Sequence, residues 1–359
     1  EEIFKSLIIP DLEFATENLP DKWDEAYTHR ATKGTAFAYL SEAYLIMKDY
    51  ENALKAGLEV EKFDYELLDD PGRVFHIEEE NSKEIIFSVG IAEGIDKYRR
   101  ELYFGSKEDL GGDLGHLMRG DTYSADYFYP SKEFVDFFQV IDGKSIKDNS
   151  PYFDASQAWK NRDPRFDGTF FTIMDEVATT GKKMNWRDEW LVNTPTGYDI
   201  QKRGVWYGEE SWTQRVDVHL MRLPRVYLHI AEAYALQANP DFEKCSEYVE
   251  KVRSRARRFA LAHPNKYIPE GLDESKVLPP FVIDSKESAR EAINYESRVE
   301  FFTEDVIRYF DLKRWGTLAE EWSRVGDFIW EDKLYNLPYP AAELSANPNL
   351  KQNHIGWGN

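Results

Sequence analysis

Cysteine is nearly missing from this chain. Cys245 stands alone, so neither a disulfide framework nor a cysteine-based zinc site can form within one chain. Its setting, Phe242-Glu243-Lys244-Cys245-Ser246-Glu247-Tyr248, reads as helix. A small, partly buried hydrophobe outweighs a nucleophile there, because no partner base is evident. Long apolar stretches are missing too. No run of about 18 apolar residues occurs, so no membrane-spanning helix is expected, and any membrane link falls to a lipid or a partner. Basic residues are outnumbered, 45 Lys and Arg against 66 Asp and Glu, for a formal net charge of −21. So acidic a surface repels phosphate backbones, which argues against nucleic acid and, more weakly, against polyanions. It is silent about neutral ligands. The chain opens with no initiator Met, no basic n-region and no apolar h-region. It starts inside a helical pattern of Phe4, Leu7, Ile8, Leu12, Ala15 and Leu19, so an upstream segment is expected to be missing.

The usual entry points to catalysis are also lacking. There is no glycine fingerprint after a strand, no phosphate loop and no Gly-x-Ser-x-Gly elbow. The 7 histidines are scattered; none forms a His-Glu-x-x-His pair, and His219 and His229 are too far apart for a local zinc site. Glu108, Asp109 and Asp113 lie near glycines but fit no calcium-loop pattern. No cofactor and no metal are expected.

What the chain has is hydrophobic residues, 42%, enough to exclude disorder, and an aromatic surplus of 10 Trp, 21 Tyr and 22 Phe. Many of these rings belong in a core. Trp and Tyr in polar segments also suit sugar binding, because sugar rings present C–H faces to flat aromatics while their hydroxyls need polar partners at the rim.

The first third of the chain reads as helix. Thr32 is a cap for a helix through Ala36, Phe37, Leu40, Ala43, Tyr44 and Leu45. A turn at Lys48-Asp49-Tyr50 leads to a second helix with Ala53, Leu54, Leu58 and Val60, the anatomy of a tetratricopeptide repeat. One such unit cannot bury its own face, so more are expected. Glu84 to Val89 reads as a strand, residues 131–138 as a short helix and Thr169 to Met174 as another strand. Two aromatic, irregular segments, 90–130 and 180–215, flank that middle region. Helix returns with Val226, Leu228, Ile230, Ala231, Ala233, Tyr234 and Leu236. Asn239-Pro240 is the expected cap of its partner, which runs through Tyr248, Val249, Val252 and Ala256. Asp284 and Glu287 suggest a capping box for a helix continuing to about Trp315, and the tail from Leu337 reads as extended loop. The fold expected is mostly α. Helix pairs of tetratricopeptide type occupy about 1–62 and 222–316, around a loop-rich, minor-β middle at about 90–215, in one domain over 1–359.

Four ordered segments carry a resemblance. The first is Thr32-Lys33-Gly34-Thr35-Ala36 through Tyr44-Leu45 and Asp49-Tyr50-Glu51-Asn52-Ala53, followed by Glu84-Ile85-Ile86-Phe87-Ser88. The second is Asp142-Gly143-Lys144 with Asn161-Arg162-Asp163-Pro164-Arg165-Phe166. The third joins Arg222-Leu223-Pro224-Arg225-Val226-Tyr227-Leu228 and Ala231-Glu232-Ala233 to Val252-Arg253-Ser254-Arg255-Ala256. The fourth is Ile293, Glu296-Ser297-Arg298-Val299-Glu300-Phe301 and Arg308-Tyr309-Phe310-Asp311-Leu312-Lys313-Arg314-Trp315-Gly316, before a close at Leu337-Pro338-Tyr339-Pro340. No one motif decides, but the ordered set resembles the SusD/RagB family across nearly the whole chain. The resemblance implies a SusD-like helical fold and a cell-surface lipoprotein of the outer membrane. Its lipid anchor and first helices would precede residue 1. It further implies capture of oligosaccharides, or of peptides in the RagB branch, for a SusC-like TonB-dependent transporter, with no chemistry performed.

Glu296, Glu300, Glu304 and Arg308 fall four apart on the expected late helix, with Arg298, Asp311 and Arg314 nearby. A glycoside hydrolase would use two such carboxylates as acid and base. Residues four apart are only about 6 Å between Cβ atoms, and an arginine in reach of each Glu holds it ionised, so an ion-pair network is the stronger reading. Arg162, Asp163 and Arg165 likewise read as a loop tie ahead of a ligand clamp. The candidate ligand contacts are Trp186, Trp190, Trp206, Tyr207, Trp212, Tyr123 and Tyr127, with Asn185, Arg187, Asp188 and Gln214 available to hydroxyls. Any one of these rings is more readily core than contact; as a group, one or two are expected to face ligand.

Overall fold

The computed structural model describes the chain outside residues 25–26, 76, 91–129, 172–176, 180–181, 185–195, 201, 203–216, 305–306, 326–328, 353–355 and 358–359. Two units result, Glu1–Asp305 and Val306–Asn359.

In the first unit a π-helical turn, Phe4–Ile8, runs into α1 (Ile9–Asn18), which packs on α2 (Lys33–Ile46). Thr32 starts α2 as expected. Its Oγ1 accepts the Thr35 N–H at 3.2 Å, while Thr35 Oγ1 accepts the Thr32 N–H at 3.2 Å. Such a box stabilises a helix start by roughly 1 kcal/mol. Lys48, at φ +60°, turns the chain, and the Asp49 carboxylate caps α3 (Tyr50–Val60) by accepting the Asn52 N–H. Small residues let the helices close up. Ala36, Ala43, Ala53 and Ala56 are buried, and Ser41 Oγ donates to the Ala53 carbonyl at 2.9 Å.

The strand β1 (Ile85–Val89) follows, then α4 (Lys132–Phe137) and α5 (Arg165–Thr169). Phe134, Phe138, Phe166 and Phe170 form a buried aromatic cluster with edge-to-face contacts, Phe166 to Phe170 at 5.0 Å between centroids. Arg162 is tied in beneath it, donating to the carbonyls of Val135, Phe138 and Ala158. Of the expected strand over Thr169 to Met174, Phe170–Phe171 form β2 and residues 172–174 lie outside the described residues; Thr169 instead ends α5 by donating its hydroxyl to the Arg165 carbonyl. β2 pairs with β5 (Asp199–Ile200), and β3 (Val177–Thr179) with β4 (Lys182–Met184).

The strand β6 (Val218–Arg222) pairs antiparallel with β1 and leads into α6 (Leu223–Leu236). The partner α7 (Phe242–Ala262) is capped by Asp241, whose carboxylate accepts the Lys244 N–H at 2.9 Å, not by Asn239. Pro240 thus precedes the cap instead of occupying the first helical turn. Gly57 of α3 lies against Ile230 of α6, joining the two helix pairs. A short α8 (Pro264–Tyr267) precedes α9 (Lys286–Glu300), which packs on α6 and α7. Its capping box is made by the Ser285 and Ser288 hydroxyls, one residue along from the expected Asp284 and Glu287.

The late helix does not run on to Trp315. It ends at Glu300, and a turn with Thr303 at φ +65° swings Glu304 inward, where it is 3% exposed. A β-branched residue in the left-handed region marks a firm helix stop. The second unit holds α10 (Ile307–Trp315), α11 (Leu318–Arg324) and α12 (Ala341–Ala346). Arg308 therefore pairs with Glu321 at 2.9 Å and is not on one helix with Glu304. Helix α12 also interrupts the tail expected to be extended: Pro340 stands at its N-cap, ahead of two alanines and Glu343, all good helix formers. Among the described residues no helix is long and apolar enough to cross a membrane.

Candidate functional site

Buried charge organises the first unit. Glu296 and Glu300 lie four apart on the inner face of α9, as the spacing predicts, but their partners come from other elements. Arg253 of α7 reaches Glu296 at 3.0 Å, and Arg165 of α5 reaches its other oxygen at 2.6 Å and Asp163 at 2.7 Å. Arg255 of α7 spans Glu300 at 2.5 Å and Glu84 at 3.0 Å. Arg222, closing β6, pairs with Glu84 and holds Glu304 by two bonds, of 2.7 and 2.8 Å; Lys202 joins Glu304 at 2.5 Å.

The ledger of charge closes: Arg165, Lys202, Arg222, Arg253 and Arg255 face Asp163, Glu84, Glu296, Glu300 and Glu304, every one buried. Burial alone would raise the Glu300 carboxyl, but Arg255, Arg222, Arg165 and Lys202 outweigh it and hold the group far below the usual carboxylate range. Burial opposes ionisation of Glu304 too, and Arg222 and Lys202 again prevail. Carboxylates so held have no proton to give at neutral pH, the opposite of what a general acid needs. Sequence reasoning found the ion-pair character of Glu296, Glu300 and Glu304. It missed Glu84, Lys202, Arg222, Arg253 and Arg255 as partners, and the arginines it offered pair elsewhere, Arg298 with Glu133, Arg308 with Glu321 and Arg314 with Asp311. The signal was present in Val252-Arg253-Ser254-Arg255-Ala256, where arginines alternate with residues of a buried helix face.

This network holds the chain on either side of residues 203–216. Lys202 precedes residues 203–216 and Arg222 follows them, and both donate to Glu304 Oε1. The ring of Phe75 lies 5.1 Å from Lys202 Nζ, 5.5 Å from the Arg222 guanidinium and 5.6 Å from the His219 ring. In the β1–β6 ribbon Val89 is opposite Val218. Gly90, from which the chain enters residues 91–129, and Asp217, at which it returns from 203–216, therefore share one end of the ribbon. His29 closes that end, its Nδ1 3.3 Å from Ser88 Oγ and 3.3 Å from Asp217 Oδ2. Serine and aspartate meet the same ring nitrogen, so this is no nucleophilic relay, which needs them on opposite nitrogens.

All seven predicted contacts, Trp186, Trp190, Trp206, Tyr207, Trp212, Tyr123 and Tyr127, lie outside the described residues, as do Asn185, Arg187, Asp188, Gln214, Glu108, Asp109 and Asp113. A cavity beside the network, lined by Gly72, Arg165, Gly168, Lys202 and Glu300, has room of about 20 Å³, enough for one water and far too little for a sugar. Among the described residues no group of three or more His, Cys, Asp or Glu could hold a metal.

The family model described as the SusD family matches residues 83–357. The chain belongs to the SusD family. Solved structures share its architecture. A SusD-like protein from Bacteroides fragilis has 24% identity and a TM-score of 0.70, over 99% of this chain and 71% of that one. A SusD-like carbohydrate-binding protein, also from Bacteroides fragilis, has 20% identity and a TM-score of 0.66, over 96% and 62%. Surface glycan-binding protein A from Bacteroides thetaiotaomicron, in complex with laminarihexaose, has 18% identity and a TM-score of 0.58, over 98% and 70%. At these identities the likeness is one of fold, and this SusD-family chain spans between 62% and 71% of the length of these three. No curated protein matches it.

Proposed function

We propose that this SusD-family chain captures an oligosaccharide at the cell surface and passes it, chemically intact, to a SusC-like TonB-dependent transporter in the outer membrane, where a lipid anchor holds it. The observation that carries the reading is the commitment of the buried carboxylates. Glu296, Glu300 and Glu304 are all ion-paired, which leaves none of them as a free acid or base for glycoside hydrolysis. The laminarihexaose complex of a relative with this fold supports a glycan as ligand. Trp186, Trp190, Trp206, Tyr207, Trp212, Tyr123 and Tyr127 supply the stacking surfaces, since every sugar ring offers a C–H face to an aromatic plane.

The test is titration of the purified protein with a panel of hexasaccharides and of short peptides, followed by chromatography of the recovered ligand. Binding of one hexasaccharide, recovered unchanged, supports the proposal. Shortened sugars would establish a glycoside hydrolase instead, and binding confined to peptides would place the chain with RagB-like peptide uptake.

A further inference from the structure

The loop between α1 and α2 holds an aromatic group that sequence reasoning passed over. The Arg30 guanidinium lies over the Tyr27 ring, 4.2 Å from its centroid, and 5.3 Å from that of Trp23. Trp23 is fixed by its indole N–H, which donates to the Ala31 carbonyl at 2.8 Å. The Arg30 N–H donates to the Tyr27 carbonyl, closing the turn. Yet this stack buries little: Tyr27 remains 46% exposed and Arg30 is exposed. In a chain with 66 acidic residues, Arg30 makes no ion pair among the described residues, and the Tyr27 hydroxyl has no hydrogen-bond partner among them. Unspent donors beside an exposed, immobilised ring are the ingredients of sugar recognition, in which one face stacks and the rim bonds hydroxyls. The loop also has a fixed place. His29, between Tyr27 and Arg30, packs its ring on Gly90, where an added Cβ would lie 2.7 Å from it, and pairs with Asp217. The patch therefore stands beside the ribbon end from which residues 91–129 and 203–216 depart.

We propose that Tyr27, Arg30 and Trp23 form a sugar-contacting rim: one pyranose stacks on the open side of Tyr27, and Arg30 donates to its hydroxyls. The inference rests on the glycan reading above. It would make the bound oligosaccharide long enough to touch both the ribbon end and the α1–α2 loop. A stacked ring pre-held by Arg30 loses little side-chain freedom on binding, which favours affinity.

The experiment uses hexasaccharides of β-1,3-glucan, β-1,4-glucan, α-1,4-glucan, β-1,4-xylan and β-1,4-mannan, titrated into wild type, Tyr27→Ala, Tyr27→Trp and Arg30→Ala. Expected are at least tenfold weaker binding for Tyr27→Ala and Arg30→Ala, affinity within about threefold of wild type for Tyr27→Trp, and melting temperatures unchanged. Rescue by Trp separates stacking from a structural role. Equal affinity of wild type and Tyr27→Ala for a hexasaccharide that binds would overturn the rim alone. A loss of affinity matched by a drop in melting temperature, with no rescue by Trp, would also overturn it. Wild type binding none of the five would remove the glycan reading and the rim with it.

Discussion

Arg222 grips Glu304 with one edge of its guanidinium, Nε to Oε2 at 2.8 Å and Nη2 to Oε1 at 2.7 Å, in a setting where both side chains are nearly inaccessible. A planar fork on a carboxylate is the strongest geometry such a pair can adopt. Arg222 also faces Glu84 and Glu300, so its charge balances several carboxylates at once. Arg222→Met would leave them facing fewer cations without water to solvate them. The expected loss is about 3–5 kcal/mol of stability, read from the urea midpoint. A change below about 1 kcal/mol would mean the network is wetter than its burial indicates.

The same network sets an acid limit. Asp163, Glu300 and Glu304 are all held below their ordinary range; burial opposes this in each, and the guanidiniums, with Lys202, override it. A depressed folded value means the unfolded chain takes up protons first as pH falls. The stability these groups contribute is complete above the unfolded carboxylate range, about 4, and is lost below it as pH approaches the folded values. The melting temperature should be nearly level from pH 7 to about 5 and fall steeply below about 4. Glu300→Gln should flatten that fall while lowering the plateau; parallel curves for the two proteins would refute the assignment.

Gly57 offers a test of helix packing. A Cβ there would stand 2.6 Å from Ile230 Cγ1 and 3.2 Å from Ser41 Oγ, so α3 and α6 could not keep their approach. In an exposed helix Gly→Ala stabilises by up to about 1 kcal/mol; here overpacking should reverse the sign and cost about 1–3 kcal/mol. Thermal unfolding of Gly57→Ala checks it, and any gain in stability would show that the two helix pairs have slack between them.

The helix pairs were legible because their signals are local: Thr32, the alanines of α2 and the turn at Asp49 state their roles within a few residues. Caps were legible to within a residue or two, since Asn239, Asp241, Asp284 and Ser285 are all competent N-caps and only the backbone path decides among them. The break after Glu300 was not legible. Its sequence continues a helical period, and the partners that draw Glu304 inward, Lys202 and Arg222, lie 102 and 82 residues away in sequence. The candidate contacts were chosen from composition, which ranks residue types but cannot orient a ring in an irregular segment. For the same reason Tyr27 and Arg30, in a short polar loop, attracted no notice: nothing in the string Tyr27-Thr28-His29-Arg30 states that the cation folds back onto the ring.

Cys245 closes the set with a chemical prediction. The thiol is fully buried in α7, and burial, reinforced by Glu232 and Asp241, pushes it up to about 12. The thiolate is the reactive form, and at pH 8 it is almost absent as well as inaccessible. A disulfide reagent such as dithionitrobenzoate should therefore label no thiol in the native protein over an hour at pH 8, and one per chain in 6 M guanidinium chloride. Because α7 packs on both α6 and α9, labelling of the native state would require opening the core itself, and its rate should rise in Arg222→Met in step with the loss of stability. Rapid native labelling at a rate indifferent to that substitution would show that Cys245 is reached by a local motion of α7, at odds with its burial.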